Sequence, residues 1–470
     1  MIYDYIILGG GISGLYSAYE LIKKNKNSTI LLLEKYDVLG GRVNTYTDKH
    51  MSVEAGAGRF HSGQARLNKL IRELGLEKNI SPISSEVAYA PADSSGAFLN
   101  SILDAPDHFT TINDTLDIAS PGPVLLSMLD VFLGKQNIPN AGLLTKVLIY
   151  SKTKSADYLR NIVFIDFIKK VLYKDEVKFI EDSFGYYSEL VVMNAYDALQ
   201  LIIGHLSPDH SYYGLKGGLS QIIHHLEKRL AKFPNVRILK NREVDNIDIL
   251  DTCSEVSFSN VDIKYKGRRI ICALPKNVLE KMLVFRKSSQ HVDRETVLRV
   301  KKDLDKIVCA PLCRIYSKFP PNENGEIWFK DLPKLTTNNN LRMIIPIDSK
   351  NGVIMSSYTD NKYADFWKKL YGNGHEKKVN HELIRLLKES TGIESIPYPI
   401  ESKVFYWGCG VGYWGIGANS KEISSAMIQP FGKDVAIYVC GEHFSEKNQQ
   451  WIEGALETSE NVICRIFDTV

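Results

Sequence analysis

The sequence predicts an α/β protein in which a doubly wound, Rossmann-like domain is interleaved with an α+β domain carrying a mixed sheet and helices. Three observations lead there. The chain opens on a strand, helix, strand pattern with glycines in its first turn. It closes on a buried strand, a Gly-Glu pair and a helix. Between them, helical periodicity gives way to strand-rich stretches, the mark of a second structural unit.

Residues 3–8 read as a short buried strand and Ile12–Lys24 as a helix with Leu15, Ala18, Tyr19 and Ile22 on one face. Residues 29–34 return as a strand, completing a βαβ unit. Residues 67–74 have helical spacing, 102–118 read as a polar loop, and 124–205 carry the periodicity of several helices, so 63–209 is predicted to be a mostly helical insertion. Gly217-Gly218-Leu219 opens a helix through Leu230, followed by strands at Val236–Leu239, 255–258 and 269–273. Residues 314–347 and 353–358 are strand-rich around the turn at 337–340, residues 434–440 form another buried strand, and a last helix covers 451–467. The predicted partition is a discontinuous nucleotide-binding domain (1–62, 210–290 and 404–470) and a substrate-binding domain (63–209 and 291–403).

A chain of 470 residues exceeds what one core ordinarily supports, which agrees with two domains. Hydrophobic residues at 44% and charged residues at 24% describe a soluble globular protein, and a net charge of +3 is too small to suggest a nucleic-acid partner. The seven cysteines are odd in number and scattered, unlike a disulfide framework or a paired zinc site, so a reducing compartment and no metal are expected. The first residues lack a secretory pattern, and the most apolar stretch, 123–133, is broken by Asp130 and falls short of the roughly 20 residues of a membrane span. A cytoplasmic location is expected, and a homodimer is compatible with the sequence.

Gly9, Gly11 and Gly14 occupy the places of Gly-x-Gly-x-x-Gly, where glycine permits the tight turn, the approach of backbone N–H groups to a pyrophosphate, and close helix–strand packing. Glu34 follows Gly14 by 20 residues at the end of the second strand, where a carboxylate accepts hydrogen bonds from ribose hydroxyls.

Glu34 followed by Leu39-Gly40-Gly41-Arg42 resembles the second signature of the FAD-dependent amine oxidase family. Gly217-Gly218-Leu219, Ala273-Leu274-Pro275 and residues 440–455 resemble further family blocks in the same order, so the likeness spans most of the chain. The resemblance implies non-covalently bound FAD. Gly9, Gly11, Ile12, Ser13 and Gly14 would face the pyrophosphate and Glu34 the ribose, with Gly41 and Arg42 at the diphosphate or flavin region. Tyr36 stands where several relatives carry an arginine, a loss that Lys35 would offset unless Arg42 suffices alone. Ala57, Gly58 and Arg59 would lie near the flavin, Val244 would touch adenine through its backbone, and Gly441 and Glu442 would meet the ribityl or phosphate region. Trp451 and Ile452 would run along the pyrimidine edge, where an incipient helix favours negative charge, and Ala455 would be small for close approach.

The activity implied is oxidation of the C–N bond of a primary amine or L-amino acid, with hydride transfer to flavin N5 and reoxidation by O2 to hydrogen peroxide. The aromatic run 406–415 contains Trp407 and the cage candidates Tyr413 and Trp414, to which Trp451 is added, because aromatic faces attract amine cations. Cys409 invites comparison with a covalent flavin linkage, but its neighbours do not reproduce that motif. Residues 54–60 resemble a segment of L-amino acid oxidases whose arginine grips the substrate carboxylate. Arg59 has that role or faces the flavin or a buried acid. Arg314 stands where the family has a lysine bridged by water to flavin N5, leaving it to assist oxygen reduction or to bind an acidic substrate; Lys318 reads as surface. The alternatives are a flavin desaturase or dehydrogenase of the same superfamily and a catalytically weakened FAD-binding protein.

Overall fold

A computed structural model describes residues 1–92, 121–136, 138–151, 156–205, 210–259, 261–283 and 292–468. The polar loop expected at 102–118 lies outside these residues.

The first sheet is organised around β1 (Ile2–Leu8). Its parallel neighbours are β2 (Ile30–Leu33), with Tyr5 opposite Ile30 and Leu8 opposite Leu33, and the strand Lys264–Cys272 on the other side. Ile6, Ile7, Leu31 and Leu32 are fully buried, the continuous apolar run of strands covered on both faces. Val236–Leu239 extends the sheet beyond β2, while Ser254–Phe258 and Val244–Ile249 add antiparallel strands at the opposite edge. Ile437–Val439 joins from far along the chain, parallel to the end of Lys264–Cys272.

Helix α1 (Ile12–Lys24) has the predicted bounds. Lys23 and Lys24 in its last turn complement the helix dipole. The C-terminal helix Ile452–Asp468 packs on it, with Ser459 Oγ donating to the Ser13 carbonyl at 3.2 Å and the Tyr16 hydroxyl to Glu460 at 2.8 Å. Leu15 and Ile22 therefore share one core with Leu456 and Val462.

The second sheet runs in the order Glu401–Trp414, Ile307–Lys318, Val353–Asp360, Met343–Asp348, Leu335–Thr336, Ala88–Tyr89. Its two longest strands pair antiparallel from Ile307 opposite Trp414 to Lys318 opposite Glu401, with a register shift between Ala310 and Leu312. Helices within 121–205 form an apolar cluster against this sheet that takes in Ala310 and Tyr413. A small sheet of Phe60–His61, Tyr212–Leu215 and Ile80–Ile83 stands beside the βαβ unit.

The scattered cysteines, read above as unlike a disulfide framework, nevertheless include one bonded pair. Cys309 and Cys409, 100 residues apart, form a disulfide with their Cα atoms 5.0 Å apart. Cys309 is in register with Gly412, and the register shift after Ala310 brings Cys409 within reach of it, a relationship that linear spacing does not display. No helix among the described residues is long and apolar enough to cross a membrane.

Candidate active site

The site begins at the first glycine turn. Gly9 adopts φ +102°, and a Cβ on Gly14 would lie 2.0 Å from the Gly9 carbonyl oxygen, so neither place accepts an ordinary side chain. Gly11 caps α1 without a side-chain hydrogen bond, and the first helical turn carries no acid. Its N–H groups and the positive end of the helix are thus open to an anion. Gly40 N–H donates to the Gly10 carbonyl at 2.9 Å and Gly11 bridges Gly40, which sets the two glycine segments, with Gly41, side by side. Glu34 accepts from Gly10 N–H at 2.7 Å and from Tyr36 N–H at 2.9 Å. Arg242 N–H donates to the Glu34 carbonyl, leading the chain to Val244 beside this turn. Lys35 is committed to an exposed ion pair with Glu243 at 2.7 Å.

Arg42 leaves the second glycine turn and meets the far end of the chain. Its Nη1 donates to Glu442 Oε2 at 2.6 Å and to the Gly410 carbonyl at 2.9 Å, and lies 3.0 Å from His443 Nε2. Glu442, beside Gly441 (φ +140°), accepts further from Gly412 N–H and Gln450 N–H. Burial alone would raise its carboxyl, but Arg42, His443 and these two N–H groups outweigh burial and hold it below the ordinary carboxylate range. Ala455 is buried in the core shared with α1.

Next to this junction lies a cavity of about 840 Å³ lined by Ala57, Gly58, Arg59, Arg314, Tyr413, Trp451 and Ile452. Arg59 Nη2 donates to the Tyr186 hydroxyl at 2.7 Å, with its guanidinium 4.6 Å from the Tyr212 ring centroid and 5.8 Å from that of Trp451. Trp451 stacks on His205 at 5.3 Å. Arg314 is pinned by the carbonyls of Glu54 and Gly56 and lies 4.5 Å from the Tyr358 ring. Burial would lower its pKa, but Tyr358, Tyr316 and Glu54 outweigh that, so it stays cationic. Gln450 Nε2, also at the cavity, is buried with no hydrogen-bond partner among the described residues. A side-chain-free anion turn joined through Arg42 and Glu442 to a cavity with an orphaned donor fits a dinucleotide with a ring system at one end.

Residues 12–466 match the family model of the flavin-containing amine oxidoreductases. The chain belongs to this family. Its cofactor is FAD, and it is an oxidoreductase acting on amines. Over 99% of its length it is 22% identical to an uncharacterised protein of Acanthamoeba polyphaga mimivirus, covering 94% of that relative, and over 98% it is 23% identical to aplysianin-A of Aplysia kurodai, covering 89%. A 76-residue segment is 41% identical to amine oxidase [flavin-containing] A of Equus caballus, covering 16% of this chain and 14% of that one. Putrescine oxidase bound to putrescine has the same fold, with a TM-score of 0.71, 15% identity and coverage of 100% of this chain and 99% of the other. Cyclohexylamine oxidase from Brevibacterium oxydans gives 0.70 and 16%, again over 100% and 99%.

Within this amine oxidoreductase the expected aromatic cage changes. Successive strand residues point to opposite faces, so Tyr413 lines the cavity while Trp414, 1% exposed, turns away and donates its indole N–H to the Ser445 and Glu446 carbonyls. Trp407 is likewise absent from the lining and donates to the Ala55 carbonyl at 2.7 Å. Cys409 is consumed by its disulfide, and Lys318 donates to the Asn351 carbonyl away from the cavity. Cys309, Cys409 and His443 cluster within 4.8 Å, but both sulfurs are bonded to each other.

Several cavity residues escaped the sequence reading. Glu54 accepts from Leu219 N–H at 2.7 Å and Thr45 Oγ1 at 2.9 Å, and burial pushes its carboxyl up. His205, lowered to about 4 by burial, lies 2.9 Å from His61, lowered to about 3. Lys334, Lys216 and Glu189 also line the cavity. The available signal was an acid amid the apolar residues of 186–193 and a lysine between Pro333 and Leu335.

Proposed function

We propose that this protein oxidises the C–N bond of an L-amino acid, with Arg59 receiving the substrate carboxylate. The observation that carries this reading is the state of Arg59: it lines the cavity, is positioned by Tyr186 and Tyr212, and has no acidic side chain within ion-pair distance among the described residues. A guanidinium held this way offers a carboxylate two parallel hydrogen bonds. Lys334, which makes no hydrogen bond or ion pair with its side chain among the described residues, adds a further basic group to the same lining.

Bound FAD supplies the hydride acceptor and returns its electrons to O2, giving hydrogen peroxide. The chain's part is to bind, orient and exclude water. Tyr413 and Trp451 wall the substrate, Arg314 supplies fixed positive charge, and the N–H groups at the start of the last helix, near Trp451 and Ile452, favour negative charge beside them. The glycine turn with Ile12 and Ser13, Glu34, Gly41, Arg42, Val244, Gly441, Glu442 and Ala455 hold the cofactor in this reading. In this reading residues 1–62, 210–290 and 404–470 make the nucleotide-binding unit and 63–209 and 291–403 the substrate-binding unit, with the strand Glu401–Trp414 pairing in the second sheet and Arg59, Tyr413 and Trp451 reaching the same cavity.

The test is anaerobic addition of L-amino acids and their decarboxylated analogues to the yellow holoenzyme. Bleaching by amino acids at lower concentrations than by the analogues is expected. Bleaching by amines alone would remove the carboxylate role, and no bleaching by either would remove the oxidase reading.

A further inference from the structure

Glu189 lies on the short helix Tyr187–Val191, is 3% exposed, and lines the cavity. Its Oε2 is buried with no hydrogen-bond partner among the described residues. Buried polar atoms are nearly always paired, because leaving one unmade costs about 1–3 kcal/mol or more for a charged group. An unpartnered carboxyl oxygen at a substrate cavity therefore points to a partner that arrives with the substrate.

The surroundings define that partner's chemistry. Tyr186, Tyr358 and Tyr413 line the same cavity, and aromatic faces favour a cation. Arg59 acts electrostatically on the Glu189 carboxyl, and no ion pair joins the two among the described residues, so the guanidinium and the carboxyl stand apart in one chamber. A molecule with a carboxylate and a cationic nitrogen would span them. Burial and the nearby Asp360 push the Glu189 carboxyl well above the ordinary range, with Arg59 opposing, so an incoming cation would favour its ionised form.

We propose that Glu189 determines substrate specificity by accepting hydrogen bonds from a cationic nitrogen of the substrate. This rests on the amino-acid reading above. The nitrogen has two sources, the reacting amino group or a basic side chain, and experiment separates them.

The holoenzyme, E189Q and E189D are compared by anaerobic flavin reduction with L-leucine, L-methionine, L-lysine, L-arginine, n-pentylamine and cadaverine, alongside FAD content and Tm. A rise in apparent dissociation constant of about 10-fold in E189Q, confined to L-lysine, L-arginine and cadaverine and partly rescued in E189D, assigns the side-chain nitrogen. A similar rise for every substrate, with kcat, FAD content and Tm retained, assigns the reacting nitrogen. Unchanged constants throughout, or a loss in kcat alone, would overturn the proposal. Should E189Q not fold, unaltered constants in E189D would do the same. Wild-type bleaching by amines but not amino acids would remove the amino-acid reading while the cadaverine and n-pentylamine pair still tests Glu189; no bleaching at all would remove both.

Discussion

Arg42 Nη1 and Glu442 Oε2 stand 2.6 Å apart although 400 residues separate them in the chain. This pair ties the second glycine turn to the segment before the last helix, and Glu442 in turn receives N–H groups from Gly412 and Gln450. The turn and the cavity are thereby fixed to one another.

Removing the buried partner should be costly. Glu442→Gln is expected to lower stability by about 3 kcal/mol, since it leaves Arg42 without its counter-charge, and to weaken FAD retention. Urea denaturation and the flavin-to-protein absorbance ratio measure both. The folded pKa of Glu442 is lowered, so its stabilisation is fully present above its unfolded value of about 4.3 and is lost as pH falls through the folded value. Wild type should accordingly lose stability faster than Glu442→Gln on acidification below about pH 4.3.

Gly14→Ala should cost about 1–3 kcal/mol, because the new Cβ would meet a backbone oxygen that cannot move independently. The same displacement closes the approach to the α1 N-terminus, so the purified variant is expected to be colourless or nearly so. Undiminished flavin content would contradict the cofactor geometry.

Arg59→Met is expected to raise the apparent KM for amino acids roughly 30-fold or more while changing that for decarboxylated amines little. Equal losses for both classes would show that Arg59 shapes the cavity rather than reading a carboxylate.

Arg314→Lys should preserve or increase the rate at which reduced flavin reacts with O2, since positive charge remains, but should lower Tm because one ammonium replaces a fork held by two backbone carbonyls. A large fall in oxygen reactivity, followed by stopped-flow absorbance, would reveal a task specific to the guanidinium.

Burial and the Arg59 charge bring Lys334 down to about 7, so it is cationic below that pH and neutral above it. The KM for a carboxylate substrate should therefore rise as pH increases through 7, and Lys334→Met should flatten that limb. Persistence of the limb in the variant would assign it to another group.

The nucleotide half of the fold was legible because its constraints are local. Gly9, Gly14 and Glu34 serve one turn, and Ile12–Lys24 carries its amphipathic pattern without help from distant residues. The cavity was only partly legible. Tyr413 and Trp414 are adjacent in sequence yet face opposite ways, and which one meets the cavity depends on strand register. Cys309 and Cys409 required the same pairing to be recognised as partners. Glu189 and Lys334 come from elements that neither adjoin one another in sequence nor carry a motif, so only the folded chain brings them to one chamber.

The first sheet also has a temporal consequence. β1 and β2 are made long before the strand Ile437–Val439 and the helix Ile452–Asp468 that covers α1. Until then the glycine turn lacks both Glu442 and its helical cover, so flavin capture is expected to follow the synthesis of that segment. Nascent chains stalled before residue 437 are expected to retain no flavin, and chains extended beyond Asp468 to acquire it.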